Sequence, residues 1–161
     1  MTLIAGPKQR GCIFCRLPRA PRARENLVLA TDRDTVVMLN RFPYNSGHVM
    51  VAPRRHVADL GRLRRAEHAA LAETLRRAVD IVGREFHPQG INIGMNLGAA
   101  AGAGIADHLH WHVVPRWNGD TNFMPAIGSV KVIPEHLLAT YDRLRPRFTA
   151  SLQAVRSRKR R

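Results

Sequence analysis

The chain has 161 residues, enough for one domain with its own core, and 45% of them are hydrophobic, which argues against wholesale disorder. No apolar stretch approaches the length of a membrane span, and residues 1–11 carry no recognisable secretion signal, so we expect a cytoplasmic protein. The formal net charge of +14 favours polyanionic partners. No aromatic residues interleave with the clustered arginines, so nucleic acid is not expected as a partner.

The apolar pattern predicts an α+β fold, in which an antiparallel meander sheet of about five strands carries one long helix across it. The strands are predicted at residues 26–30, 35–39, 48–52, 91–95 and 108–115. Between the third and fourth strands, apolar residues recur at the spacing of an amphipathic helix. These apolar positions are Leu71, Leu75, Ala78, Val79, Val82 and Phe86.

The segment after Pro134 has the pattern of a C-terminal helix. No repeat and no linker divides the chain, so residues 1–150 are predicted to form a single domain. Residues 151–161 are rich in Lys and Arg. Because a short like-charged terminus is usually disordered, we expect this basic tail to be flexible.

Three histidines alternate with apolar residues in the predicted fifth strand: His108, His110 and His112. Strand side chains alternate between faces, so the three imidazoles share one face, about 6.5–7 Å apart along the strand. Neighbouring imidazoles need partners and must avoid simultaneous protonation, which disfavours a purely structural role. A metal site and nucleophilic catalysis both remain open. The Gly/Ala loop at residues 98–104, whose N–H groups can approach a phosphate closely, favours catalysis.

A second motif, Cys12-x-x-Cys15, lies near the N-terminus. Two thiols do not make a disulfide framework, but they suit a metal site, a redox pair or two buried thiols. A redox role is disfavoured because the βαβ context of redox Cys-x-x-Cys proteins is missing.

Residues 108–114 resemble the histidine-triad motif, in which three histidines alternate with apolar residues. Residues 40–53 resemble the segment of that family that runs from a ribose contact into the following strand, and residues 92–96 resemble the strand entering its phosphate loop. The resemblance covers about residues 12–117 and implies nucleotidyl transfer or hydrolysis through a covalent nucleotidyl-histidine. Residues 39–134 look most like the bacterial diadenosine tetraphosphate (Ap4A) phosphorylases.

This resemblance implies a role for each histidine of the triad. His110 matches the nucleophile that attacks the α-phosphate of a nucleotide. His112 matches the residue that contacts the phosphate and assists the leaving group. His108 matches the histidine that supports the nucleophile or, in zinc-containing members, binds the metal.

The resemblance also implies nucleotide contacts. The matching or neighbouring positions are Asn40 for the ribose, Asn96 and Gly104 in the phosphate loop, and His48 beside the ribose segment. Three positions could hold an incoming inorganic phosphate: Arg116, Asn122 and Lys131. Many relatives have a Gln or Ser side chain where this chain has Ala103, Gly104 and Ile105, so one side-chain contact to the phosphate or leaving group is lost here.

In zinc-containing members, the matching ligands are Cys12, Cys15, His56 and His108, which implies a closed, structural zinc site. The alternative is two free thiols and a surface histidine. No organic cofactor is expected.

The acceptor of the nucleotidyl group decides the activity. Inorganic phosphate as co-substrate gives an Ap4A phosphorylase, whereas water gives a dinucleoside polyphosphate hydrolase or a nucleoside phosphoramidase. A nucleotide-binding interaction protein with weak catalysis is a further alternative, which the intact triad disfavours. A metal-dependent hydrolase needs converging carboxylates, and Asp107 is the only one near the triad. By analogy with the family, we expect adenine nucleotides or dinucleoside polyphosphates as ligands and a homodimer or higher homo-oligomer.

Overall fold

One antiparallel sheet and two long helices form most of the chain that the computed structural model describes, which is residues 11–120 and 135–158. The helices and strands, in chain order, are α1 (Ile13–Arg16), β1 (Val28–Thr31), β2 (Thr35–Leu39), β3 (Val49–Pro53), α2 (Arg65–Phe86), β4 (Gly90–Met95), β5 (Trp111–Arg116) and α3 (Leu137–Arg158).

The sheet has the strand order β1-β2-β3-β5-β4, and every neighbouring pair is antiparallel. The predicted α+β class and the five strands are confirmed. The simple meander holds only from β1 to β3, because α2 then carries the chain to the far edge of the sheet, where β4 forms. β5 returns between β3 and β4, so the histidine-bearing strand is paired on both sides.

The two faces of the sheet pack against different parts of the chain. One face, with Leu39 and Val51, packs under α2 and α3 in the larger core cluster. The opposite face, with Met38 and Met50, packs with Phe14 of α1 in a smaller cluster. Met50 pairs directly with His112, so the triad histidines face the smaller cluster.

The fifth strand starts later than its sequence pattern predicts. The ladder begins at Trp111, so His108 and His110 precede it. Pro53, at the end of β3, has no N–H with which to extend the ladder, and the N–H of Leu109 donates instead to the carbonyl of Val57 at 2.8 Å. The chain nevertheless keeps the predicted alternation, because Leu109 is buried in the larger core cluster while the histidines face the other way.

The C-terminal helix is longer than predicted. It reaches Arg158, so the boundary expected at residue 150 lies inside a helix. Phe148 and Leu152 still pack on the larger core cluster, which explains why the helix continues past that boundary. Near its start, the Tyr141 hydroxyl donates to the carbonyl of Val28 at 3.1 Å and fixes α3 on β1. Among the described residues, no helix combines the length and the apolar character needed to cross a membrane.

Candidate active site

His110 is held with one defined ring nitrogen protonated. Its Nδ1 lies 2.9 Å from the backbone carbonyl oxygen of His108, and because a carbonyl can only accept, Nδ1 carries the proton. Neutral His110 therefore keeps its lone pair on Nε2. The fully buried ring of Phe14 packs against it, with 4.9 Å between the ring centroids. An imidazole fixed in this tautomer is suited to act as a nucleophile.

His48 orients His112 through a hydrogen bond between the two imidazoles. Nδ1 of His48 accepts the backbone N–H of Tyr44 at 3.0 Å, so the proton of neutral His48 is on Nε2. That Nε2 lies 2.9 Å from Nδ1 of His112, and donation to it leaves the proton of His112 on its own Nε2. His112 thus carries an N–H where His110 carries a lone pair, with 4.8 Å between the two ring centroids.

Both imidazoles are neutral at neutral pH. Burial lowers the pKa of His110 below its ordinary value, although its bond to the carbonyl of His108 opposes the shift. Burial, with a smaller contribution from the neighbouring charge of His110, lowers the pKa of His112 to about 4. A neutral nucleophile beside a neutral donor is the protonation state that attack on phosphorus and departure of an oxygen leaving group require.

The rings of His48, His112 and His110 form a row, which we call the catalytic row. Asn40 lies at the His48 end of this row. Its Nδ2 is 3.5 Å from Nδ1 of His48, and its Oδ1 accepts the backbone N–H of Phe42 at 2.9 Å. The half-buried amide therefore lies close to the catalytic row, where a ribose hydroxyl contact is expected.

The small-residue loop joins Asn96 to the histidines. The ladder of β4 with β5 ends at the pair Met95 and Trp111, and at this end Asn96 follows β4 while His110 precedes β5. Gly98 and Gly102 have φ angles of 80° and 83°, a conformation that side chains disfavour, and Gly104 is exposed. A loop without bulky side chains next to the nucleophile leaves its backbone N–H groups accessible to a phosphate.

The four predicted metal ligands converge beside the same row. The ligand atoms of Cys12, Cys15, His56 and His108 lie within 4.8 Å of one another. Nδ1 of His108 is 3.1 Å from Sγ of Cys12, 3.6 Å from Sγ of Cys15 and 3.2 Å from Nδ1 of His56. In a tetrahedral zinc site with bonds of about 2.0–2.3 Å, ligand atoms are about 3.3–3.8 Å apart, so the observed distances are close to those of a bound site.

The hydrogen-bond partners of the two histidines also fit a metal. Nε2 of His108 lies 2.9 Å from the carbonyl oxygen of Pro53, so the lone pair of neutral His108 is on Nδ1 and points at the cluster. Nε2 of His56 is 3.7 Å from the Asp107 carboxylate, an outer partner of the kind that orients metal-binding histidines. Two thiols and two imidazoles, with Asp107 outside the cluster, fit a structural zinc ion.

Arg116 is engaged by protein groups. Its Nε and one terminal nitrogen donate to the two carboxylate oxygens of Asp120, both at 2.7 Å, and the other terminal nitrogen donates to Asn92 at 2.8 Å. This arrangement lets Arg116 bridge the strands β4 and β5, and its contact with an incoming phosphate stays a prediction. Asn122 and Lys131, the other positions predicted for that contact, lie outside the described residues.

Sequence reasoning missed two aromatic residues of the site. Phe14 contacts the rings of both His108 and His110, with centroid distances of 5.2 Å and 4.9 Å. Its position inside the Cys-x-x-Cys motif was an available signal, because a residue between two ligands of His108's site must lie near that histidine. Tyr44 stacks on His48 at 5.0 Å with 55% of its surface exposed, and no comparable signal marked it.

Comparisons with known proteins identify the family of this chain. The family model for the HIT domain matches residues 22–119. Proteins of two Mycobacterium tuberculosis strains named AP-4-A phosphorylase are 46% identical to the chain over 116 residues, which is 72% of this chain and 60% of theirs. The chain therefore spans less than two thirds of the length of these relatives.

Two further relatives extend the comparison. A bis(5'-nucleosyl)-tetraphosphatase (asymmetrical) of Schizosaccharomyces pombe is 31% identical over 86 residues, 53% of this chain and 47% of that protein. The crystal structure of a zinc-bound histidine triad family protein from Mycobacterium smegmatis superposes with a TM-score of 0.67 at 28% identity and covers 89% of this chain and 96% of that one. This chain belongs to the histidine triad (HIT) family.

Proposed function

We propose that the protein transfers a nucleotidyl group from dinucleoside polyphosphates through a covalent intermediate on His110, and that it acts as an Ap4A phosphorylase. One observation carries the proposal: the rings of His110 and His112 are 4.8 Å apart, and the hydrogen bonds at their Nδ1 atoms leave a lone pair on Nε2 of His110 and a proton on Nε2 of His112. Nucleophile and proton donor are thereby preset before a substrate arrives, as covalent catalysis at phosphorus requires.

In the first half-reaction, Nε2 of His110 forms a bond to the α-phosphorus of Ap4A. The bond from that phosphorus to the bridging oxygen breaks, and ATP leaves. His112 donates a hydrogen bond from Nε2 to the bridging oxygen as negative charge develops there, and His48 supports it from behind. N–H groups of the loop containing Gly104 stabilise the phosphoryl oxygens, while Asn96 and Asn40 contact the phosphate and the ribose.

In the second half-reaction, an oxygen of the acceptor attacks the adenylyl-histidine, and the bond between phosphorus and Nε2 of His110 breaks. Inorganic phosphate as acceptor gives ADP, so the products are ADP and ATP. Water as acceptor gives AMP and ATP. His110 returns to its starting tautomer because its proton stays on Nδ1, where it is donated to the carbonyl of His108 throughout.

Phosphate is favoured as the acceptor by the 46% identity to the mycobacterial proteins named AP-4-A phosphorylase. Arg116, whose guanidinium is bound to Asp120 and Asn92, stays a predicted contact for the incoming phosphate. The second candidate is a hydrolase of dinucleoside polyphosphates, which the identity of 31% to the S. pombe tetraphosphatase favours.

The zinc site belongs to the proposal as a structural element. Cys12, Cys15, His56 and His108 would hold one ion, which supplies cross-linking and no chemistry at phosphorus. This ion would fasten Phe14 and the backbone of His108 behind the nucleophile. Reduced cysteines at this site suit a cytoplasmic protein. The exposed edge strand β4, on which Ile93 is 46% exposed, offers a surface for the proposed homo-oligomer.

The test uses Ap4A and isotopically labelled inorganic phosphate, followed by separation of the nucleotides. A phosphorylase puts the label into the β-position of ADP. Unlabelled AMP with ATP, at a rate independent of phosphate concentration, identifies the hydrolase. His110→Ala should lower the turnover rate by several orders of magnitude while nucleotide binding persists, as is usual when a covalent nucleophile is lost. Normal turnover in this variant contradicts the covalent mechanism itself.

A further inference from the structure

Three polar residues outside the catalytic row form a network that joins the turn before β3 to the end of β5. The Asn45 amide nitrogen donates to the Asp120 carboxylate at 2.7 Å and to the carbonyl of Pro115 at 3.1 Å. Arg116 donates two hydrogen bonds of 2.7 Å to the same carboxylate, and the backbone N–H of Trp117 donates to it at 3.1 Å. We call Asn45, Asp120 and Arg116 the turn clamp.

The turn clamp is anchored in the sheet. Arg116 is the last residue of β5, and it also donates to Asn92 on the neighbouring strand β4 at 2.8 Å. The Asp120 side chain is 11% exposed, so its ion pair with Arg116 is shielded from water more than a surface pair is. A two-point pair between Arg and a carboxylate fixes geometry as well as charge.

The turn held by this clamp positions both the backbone and the side chain of His48 through hydrogen bonds. The backbone carbonyl of Asn45 accepts the N–H of His48 at 3.1 Å. The preceding residue, Tyr44, donates its N–H to Nδ1 of His48 at 3.0 Å, and this bond directs the His48 proton to Nε2. A shift of the turn would therefore loosen the bond that Nε2 of His48 makes to His112 at 2.9 Å.

We propose that Asn45, Asp120 and Arg116 are positioning residues that hold His48 in register with His112 and thereby keep the proton of His112 on Nε2. They act on departure of the leaving group and not on attack by His110, whose orientation comes from the carbonyl of His108. This inference deepens the proposed function and rests on it, because it assigns a purpose to the N–H of His112.

The leaving group provides a readout that a general loss of structure does not give. Adenosine 5'-phosphoramidate must lose ammonia, which needs a proton, whereas the p-nitrophenyl ester of AMP loses a stable phenolate that needs none. Both substrates would give the same adenylyl-His110. We expect Asn45→Ala and Asp120→Asn to slow the phosphoramidate about 100-fold, at the lower end of what general acid catalysis contributes. The p-nitrophenyl ester should slow by no more than about 3-fold.

The matched control is Asp142→Asn, which removes another two-point pair, that of Asp142 with Arg24 at 2.7 and 2.8 Å, far along the sequence. This control variant should cleave both substrates at the rates of the wild type. Arg116→Lys, which keeps the charge but loses the fork, is a milder variant that remains informative if Asp120→Asn does not fold.

A second measurement needs no turnover. The nitrogen-15 chemical shifts of His112 should report protonation at Nε2 in the wild type and a mixture of tautomers in the clamp variants. Equal slowing of both substrates, or unchanged His112 shifts in a folded variant, overturns the positioning role. Failure of the wild type to cleave either substrate would instead refute the proposed function, while the tautomer measurement still decides the role of the clamp.

Discussion

Replacing His56 with alanine is the cleanest way to test the metal site. The His56 side chain is 46% exposed, so its removal sacrifices little packing, whereas His108 and Phe14 are fully buried. Its Nδ1 nevertheless lies 3.2 Å from Nδ1 of His108 and is one of the four converging ligand atoms. Any large effect of His56→Ala on stability must therefore come through the metal.

The expected size follows from linkage. An ion present at about 1,000 times its dissociation constant stabilises the folded state by about 4 kcal/mol. For a chain of this size, each kcal/mol changes the melting temperature by about 2–4 °C. We therefore expect His56→Ala to melt about 8–16 °C below the zinc-loaded wild type, and its zinc content to fall well below the expected value of about one ion per chain.

The assay compares melting temperatures with zinc and with a chelator for the wild type, His56→Ala and the control His68→Ala, which removes an exposed histidine of α2. With zinc, only His56→Ala should have a melting temperature below that of the wild type. With the chelator, all three should melt together, because the difference depends on the ion. A wild type that is free of metal and indifferent to the chelator, or a variant that keeps its melting temperature in zinc, refutes the reasoning.

Further predictions concern the catalytic row. Phe14→Ala should lower the free energy of unfolding by about 3–5 kcal/mol in denaturant titrations, with Phe14→Leu well below that, because the ring is fully buried. The loss of kcat/KM at acid pH should have its midpoint below pH 6.5, the ordinary histidine pKa, because activity is lost only when the catalytic histidines are protonated and the pKa of His112 is lowered to about 4. A midpoint at or above pH 6.5 contradicts this. Because the pKa of His112 is lower in the folded state than in the unfolded state, the unfolded state binds the proton at a higher pH as the solution is acidified. The contribution of His112 to the free energy of unfolding should therefore decline as pH falls from 6.5 towards 4. His48→Ala should slow the phosphoramidate more than the p-nitrophenyl ester, since it removes the group that orients His112.

The fold could be predicted to a large extent because its signals are local. The short apolar run of β2 and the helical period of α2 are properties of residues close together in the chain, and both elements form close to their predicted places. Strand order is not local: β5 inserts between β3 and β4 because α2 crosses the sheet first, and no short stretch of sequence encodes that crossing. The start of β5 was also missed, since it depends on Pro53, a residue of a different strand.

For the site, the sequence supplied the residue types and the structure supplied their connections. The family resemblance assembled Cys12, Cys15, His56 and His108, and these ligand atoms do converge. For Arg116, the sequence predicts an anion contact just after the triad, which stays a prediction, but it could not supply the partners Asp120 and Asn92, which come from a following turn and another strand. The choice between a ligand contact and an internal ion pair is made by tertiary structure, so basic character alone could not decide it.

The three triad histidines are chemically identical in sequence, and their different roles come from the group bound to one nitrogen of each. His108 gives Nε2–H to the carbonyl of Pro53 and turns Nδ1 to the metal ligands, while its own carbonyl takes Nδ1–H of His110. His112 accepts a hydrogen bond at Nδ1 from His48, which leaves its own proton on Nε2. His108 therefore links two groups of residues: its imidazole lies among the four converging ligand atoms, and its backbone carbonyl orients His110. We therefore expect an ion held by these ligand atoms to influence catalysis without contacting the substrate, because the carbonyl that fixes the His110 tautomer is only as rigid as the residue that carries it.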